Sequence, residues 1–214
     1  MKYKVISSGS KGNCTILEDV IAIDMGVSYS KIKDYAKALK VVLLTHSHSD
    51  HFKATTISKL VNEHPNIKFV SADYLVNELS ELVPIKNIYV LETNKMYDLG
   101  LCKLAMFPLI HDVPNVGWRI EINGHRCIYA TDTRSIDHVV AKNYDLYLVE
   151  GNYTEEDIQN RIKEKEVVGA YAYEYRVIKN HLSKEQLSKW LLDNMGPNGE
   201  YVIMHQHEDE EQEI

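Results

Sequence analysis

Cysteine is scarce in this chain, and what there is does not pair. Cys14, Cys102 and Cys127 are widely spaced and odd in number, and no C-x-x-C occurs. Neither a disulfide framework nor a thiolate zinc site is indicated, so the three read as small buried hydrophobes in strands. No apolar run approaches the ~20 residues that a membrane helix needs. The opening "MKYKVISSGSKGNC" has neither the long apolar core nor the small-residue cleavage site of a secretion signal, so a cytoplasmic protein is expected. Internal repeats and Pro/Gly/Ser-rich linkers are missing too. A chain of 214 residues then suits one domain with a full hydrophobic core, expected over 1–206. A basic run is also lacking. Net charge is −7, but five of the carboxylates sit in "HEDEEQEI" at the end, which leaves the body near −2. That stretch, 207–214, is expected to be an acidic, disordered tail. Long duplex DNA is gripped through a basic face, so the charge tilts toward small or single-stranded substrates.

What is present alternates. "KYKVIS", "CTILED" and "VIAIDMG" are β-rich; the first two are separated by the loop "SGSKGN". "SYSKIKDYAKAL" has helical spacing of Ile32, Tyr35 and Leu39. "VVLLT" is a short continuous apolar run, as in a strand covered on both faces. A helix over "FKATTISKLVNEH", a strand at "IKFVSA" and a helix over "ADYLVNELSELV" follow. The middle is all strand: "IYVLE", "KMYDL", "LCKLAMFPL", "VGWRIEI" and "RCIYATD", with Asn123-Gly124 as a hairpin turn between the last two. Alternation then returns, with helices begun at the caps Thr154 and Ser183 and a last strand "EYVIMH". Two β-rich halves, each with helices outside, predict an α/β fold built as a four-layer αββα sandwich, because a meander of hairpins does not fit a doubly wound parallel sheet.

The chemistry concentrates in "LLTHSHSDHFKA", where His46, His48, Asp50 and His51 form H-x-H-x-D-H on a strand-to-helix loop. Imidazole and carboxylate are the usual ligands of Zn²⁺ and similar divalent ions. The bland alternative is a polar loop with surface histidines. Four ligands are too few for two ions, so others must come from elsewhere. His111 follows "KLAMFPLI", Asp132 follows "RCIYAT", His181 lies in "KNHLS" before a helix, and His205 ends "EYVIM". His207 competes with His205 in register; His205 is preferred because it directly follows the apolar run. His64, His125 and His138 read as surface or structural.

On these residues the chain resembles the metallo-β-lactamase superfamily, in its phosphodiesterase branch with tRNase Z and the YycJ (WalJ)-type exonucleases. "SSGSKGNCTIL", "IAIDMG", "LLTHSHSDH", "PLIHDVPNVGWRIEI", "CIYATDT", "RVIKNHLS" and "VIMHQH" carry the resemblance through most of the chain. It implies a binuclear-metal-dependent phosphodiesterase acting on a nucleic acid or nucleotide, either a single-stranded DNA/RNA nuclease or a cyclic nucleotide phosphodiesterase. His46, His48 and His111 would hold one ion and Asp50, His51 and His205 the second. Asp132 would bridge them together with a hydroxide nucleophile. Two Zn²⁺ are implied, with Mn²⁺ the alternative. Asp50 would also orient the nucleophile, and His181 would touch the phosphate and help protonate the leaving group. Glu150 would support that histidine; its bland reading is a solvated carboxylate. A homodimer is expected, because compact domains of this fold often complete their cleft with a partner subunit. The alternative activity is a non-phosphodiester metallohydrolase of the lactonase or glyoxalase kind.

One segment stands outside that pattern. In "GAYAYEYRVIKNH", Tyr171, Tyr173 and Tyr175 alternate as on a strand. Either they pack as a strand or subunit contact, or they stack a nucleobase. Tyr175, Arg176 and Lys179 are the candidate substrate contacts, with the two cations placed to bind phosphate.

Overall fold

The computed structural model describes residues 1–206. The expected acidic tail, 207–214, lies outside the described residues, and so does His207. Six strands form the first sheet in chain order: β1 Tyr3–Ser7, β2 Cys14–Leu17, β3 Ile21–Ile23, β4 Val41–Leu43, β5 Lys68–Ser71 and β6 Ile88–Val90. The first three are antiparallel neighbours, and β3 to β6 run parallel. Parallel strands need crossovers, and here α1 Tyr29–Ala36, α2 Ala54–Glu63 and α3 Val76–Ser80 supply them. The second sheet repeats the scheme: β7 Met96–Asp98, β8 Lys103–Leu109, β9 Asn115–Ile122, β10 His125–Ala130, β11 Leu146–Glu150 and β12 Glu200–Met204. Strands β7 to β10 form the antiparallel meander, and β10, β11 and β12 are parallel. Helices α4 Glu155–Val167, α5 Glu174–Asn180 and α6 Lys184–Asn194 lie in the last crossover.

The two-residue period of each strand builds the layers. Ile21, Ile23, Val41 and Leu43 point inward and meet Cys127, Tyr129, Leu146 and Leu148 in a core between the sheets. The intervening Ala22 and Val42 face outward and pack under Ile32, Ile57 and Leu60 of the first helices. On the other side Ile128, Ala130, Tyr147 and Val149 pack under Leu187, Trp190 and Leu191 of α6. The expected αββα sandwich follows from those three cores. All three cysteines are free and buried. The Asn123-Gly124 turn has positive φ at both residues, 53° and 79°, as a type I′ hairpin requires. Thr154 caps α4 by accepting from the Asp157 amide, and Ser183 forms a capping box with Gln186 at α6. No described helix is long and apolar enough to cross a membrane.

Two expectations need correction. The helix after the histidine loop begins at Ala54 rather than Phe52, because Phe52 still bridges to Met25. The tyrosine-rich segment is not a strand. It turns at Gly169, at φ +67°, and enters α5 at Glu174. A strand there would need a sheet neighbour. Instead, Val177 and His181 donate to the carbonyls of Tyr173 and Val177 in helical fashion.

Candidate metal centre

The loop between β4 and α2 is clamped before it can present anything. The Asp50 carbonyl accepts the Asn13 amide at 2.6 Å, and the His51 carbonyl accepts the Met25 amide at 2.8 Å. Its neighbour Gly26 lies so close that a Cβ there would stand 1.6 Å from the Asp50 oxygen. Only glycine permits that approach. Three residues flanking the centre, Asp24, Asp132 and His205, adopt left-handed backbone with φ 60°, 59° and 48°. Such conformations cost a non-glycine residue roughly 1 kcal/mol each. Each turns a strand end so that its side chain faces the centre.

The clamped loop meets residues from the ends of the second sheet. Ligand atoms of His46, His48 and His111 lie within 4.8 Å of one another, and so do those of Asp50, His51 and His205. A third group, His46, His51 and Asp132, joins the two. Asp132 Oδ2 is 2.9 Å from His51 Nε2, and its Oδ1 is 3.3 Å from His205 Nε2. Asp50 Oδ2 lies 3.6 Å from the same His205 nitrogen. The structure thus brings together all seven side chains expected to ligate. A fourth group adds Glu150 and His181 to Asp132 and His205.

Three of these atoms lack the partners that buried groups ordinarily have. His46 Nε2, His205 Nε2 and Asp132 Oδ2 are buried without a hydrogen bond. Beside them Asp24 fixes the His51 ring: Nδ1 lies 2.7 Å from Asp24 Oδ2, and Nε2 faces Asp132 Oδ2 at 2.9 Å. Burial, reinforced by His51, pushes His46 far below the ordinary histidine range, which leaves it neutral and able to coordinate. Burial also lowers His111. Asp132 stays ionised in spite of burial, because His205 and His51 hold its carboxyl well below the usual range. Five imidazoles and two carboxylates gathered this closely, three of them with a buried atom that has no hydrogen bond, fit divalent cations of the zinc type.

Sequence reasoning missed the support around that set. Asp24, fully buried, accepts from the Thr45 amide at 3.0 Å, from Thr45 Oγ1 and from Tyr129 Oη at 3.3 Å, besides His51. Asn13 Nδ2 lies 2.8 Å from His51 Nε2, and Asn152 Nδ2 donates to the His205 carbonyl at 2.7 Å. Asp24 was visible only as an aspartate closing a strand before glycine. Glu150 is completely buried rather than solvated. It accepts from the Asp132 and Leu182 amides, and its Oε2 faces His181 Nδ1 at 3.3 Å. Burial opposes charge on His181, yet Glu150 and Asp132 together raise it above the ordinary histidine value.

The centre opens into a cleft of about 560 Å³, counting its mouth, walled by Tyr173, Arg176 and Asn180 with Ser10 opposite. Arg176 donates to Asp112 Oδ2 at 2.8 Å, and Asp112 Oδ1 sits 3.2 Å from His111 Nε2. Of the candidate substrate contacts, Arg176 lines the cleft, whereas Tyr175 and Lys179 do not. Tyr175 Oη instead donates to Glu166 at 2.6 Å. Tyr173 is the tyrosine at the cleft. His125 faces Asp145 and His138 the Pro108 carbonyl, both away from the centre.

Comparison with known proteins gives four likenesses. Residues 27–205 match the family model described as a β-lactamase superfamily domain. Over 220 residues the chain is 25% identical to exodeoxyribonuclease WalJ of Streptococcus pneumoniae, covering 91% of this chain and 77% of that one. Among solved structures, the metallo-β-lactamase fold protein YhfI from Bacillus subtilis superposes with a TM-score of 0.74 at 18% identity, over 97% of this chain and 86% of that one. The short form of human tRNase Z gives 0.69 at 14% identity, over 97% and 93%. At these identities the structural likenesses speak for the fold.

Proposed function

The chain belongs to the β-lactamase superfamily domain family, and from that premise we propose that this metal-dependent hydrolase cleaves phosphodiester bonds in a nucleic acid or nucleotide. One observation carries the choice of ester. His181, raised by Glu150 and Asp132, lines the cleft beside the ligand cluster, where an acid for a leaving oxygen is needed. The likeness to an exodeoxyribonuclease supports the same reading.

In this proposal His46, His48 and His111 would hold one divalent cation and Asp50, His51 and His205 a second, with Asp132 in reach of both groups. Zn²⁺ suits the imidazole-rich set best, and Mn²⁺ is the alternative. When bound, the ions supply an acidified water and neutralise phosphate charge. The chain's own residues do the rest. Asp24 fixes the His51 ring, so that Nε2 faces inward. Asp50 is partly exposed at the cleft, where its carboxylate would aim the attacking water. Arg176, pinned on one side by Asp112, keeps donors for a non-bridging phosphate oxygen. His181 gives its proton to the departing oxygen, and Glu150 keeps its ring oriented. With one arginine at the cleft and net charge −7, the substrate is a small nucleotide or a single strand.

The test is a substrate panel on the Zn²⁺- or Mn²⁺-loaded protein: bis-p-nitrophenyl phosphate, a lactone and S-lactoylglutathione. Turnover of the phosphodiester is expected. Turnover of the lactone or thioester alone would replace this reading with the non-phosphodiester one.

A further inference from the structure

Three carboxylates line the metal cleft: Asp50, Asp112 and Asp132. Asp50 and Asp132 belong to the His/Asp groups that could hold cations, and Asp112 belongs to none of those groups. Its place is nevertheless central. Asp112 Oδ1 lies 3.2 Å from His111 Nε2 and 3.4 Å from His48 Nε2. Its Oδ2 accepts from Arg176 at 2.8 Å and faces Asn180 Nδ2 at 3.4 Å. One carboxylate thus touches two histidines of the ligand cluster and the arginine of the cleft wall.

A carboxylate hydrogen-bonded to a guanidinium is an anion at neutral pH. With 29% of its side chain exposed, that charge is felt inside the cleft. Asp112 therefore cancels the charge of Arg176, the one arginine or lysine among the described residues that line the cleft. The charges of Asp50 and Asp132 would face the cations they hold, whereas that of Asp112 faces the ester that enters. A phosphodiester carries one negative charge, and a phosphomonoester close to two above its second pKa of about 6. Repulsion scales with the charge of the ligand, so a fixed carboxylate acts about twice as strongly, in free energy, on the monoester. Water cleaves a diester into an alcohol and a monoester, and Asp112 stands against the second of these products.

We propose that Asp112 is a specificity-determining residue, which sets the cleft for a phosphodiester monoanion and against the dianionic monoester formed from it. This rests on the phosphodiester reading of the centre. Arg176 keeps its hydrogen-bond donors for the phosphate oxygens, while its pairing with Asp112 withholds the net charge that would favour a dianion.

Calorimetric titration of the Zn²⁺-loaded chain with diphenyl phosphate and phenyl phosphate at pH 8 tests it. Asp112→Asn removes the charge and keeps an oxygen for Arg176. It should strengthen phenyl phosphate by about tenfold and diphenyl phosphate by only about threefold, with metal content unchanged. Asp112→Ser should show the same difference, and decides alone if the first variant fails to fold. Equal changes for the two ligands would overturn the proposal, since they would mean that Asp112 only orients Arg176. So would weaker binding of phenyl phosphate, loss of metal, or no binding of either ligand to any of the three proteins. Turnover of a lactone or thioester alone would sink the phosphodiester reading, and the two affinities would still decide the part of Asp112.

Discussion

Asp24 lines no part of the cleft, yet the hydrogen bonds its carboxylate accepts come from His51, Thr45 and Tyr129. Outer carboxylates of this kind set a ligand's tautomer and basicity. Asp24→Asn should therefore weaken metal binding by about 10–100-fold, read by competition with a chromophoric chelator; unchanged affinity would remove Asp24 from the centre. His181 differs, because it touches the cleft without belonging to either three-histidine or Asp-His-His group. His181→Ala should retain its metal and lose phosphodiester turnover by ~10²–10⁴-fold. Full turnover with metal retained would show that the proton comes from elsewhere. The ligand-type residues were legible because histidines and aspartates at strand ends are conspicuous. Asn13 and Asn152 were not. Neutral amides carry no ligand signal, and their partners lie 38 and 53 residues away.

At the scale of elements, the loop between β4 and α2 owes its shape to its neighbours. Gly26→Ala would drive a Cβ into the Asp50 backbone, so the variant should lose about 3 kcal/mol of stability, at the upper end for overpacking. An unchanged urea midpoint would contradict the clamp. Most strands and helices could be read from period and caps, since the inward and outward residues of β3, β4, β10 and β11 alternate cleanly. The tyrosine segment misled, because its alternating tyrosines are the exposed side chains: Tyr171 and Tyr175 are 82% and 50% exposed. What fixes it is Glu174, held to α4 by Lys165. Burial works against that carboxylate, but Lys165 wins and lowers its pKa below the ordinary glutamate value. A depressed folded pKa gives stability that is present above the unfolded pKa and lost as pH falls through the folded one. Lys165→Met should accordingly melt below the wild type at pH 7, and the gap should close in acid. A gap that is independent of pH would show that the pair does not hold α5.

For the whole molecule, each sheet carries only part of the His/Asp cluster that could hold metal. The first supplies His46, His48, Asp50 and His51 from one loop; the second supplies His111, Asp132 and His205 from beyond β8, β10 and β12. The sandwich was legible from the order of strands and helices, whereas the distances that make one centre of two half-sites exist only after the sheets pack. Asp132 is where they meet, within reach of His51 from one sheet and His205 from the other. Metal analysis of the purified, loaded protein therefore bears most directly on the centre. Two equivalents of divalent ion per chain are predicted for the wild type and fewer than two for Asp132→Ala. A wild type that holds no ion, or an Asp132→Ala variant that still holds two, would contradict it.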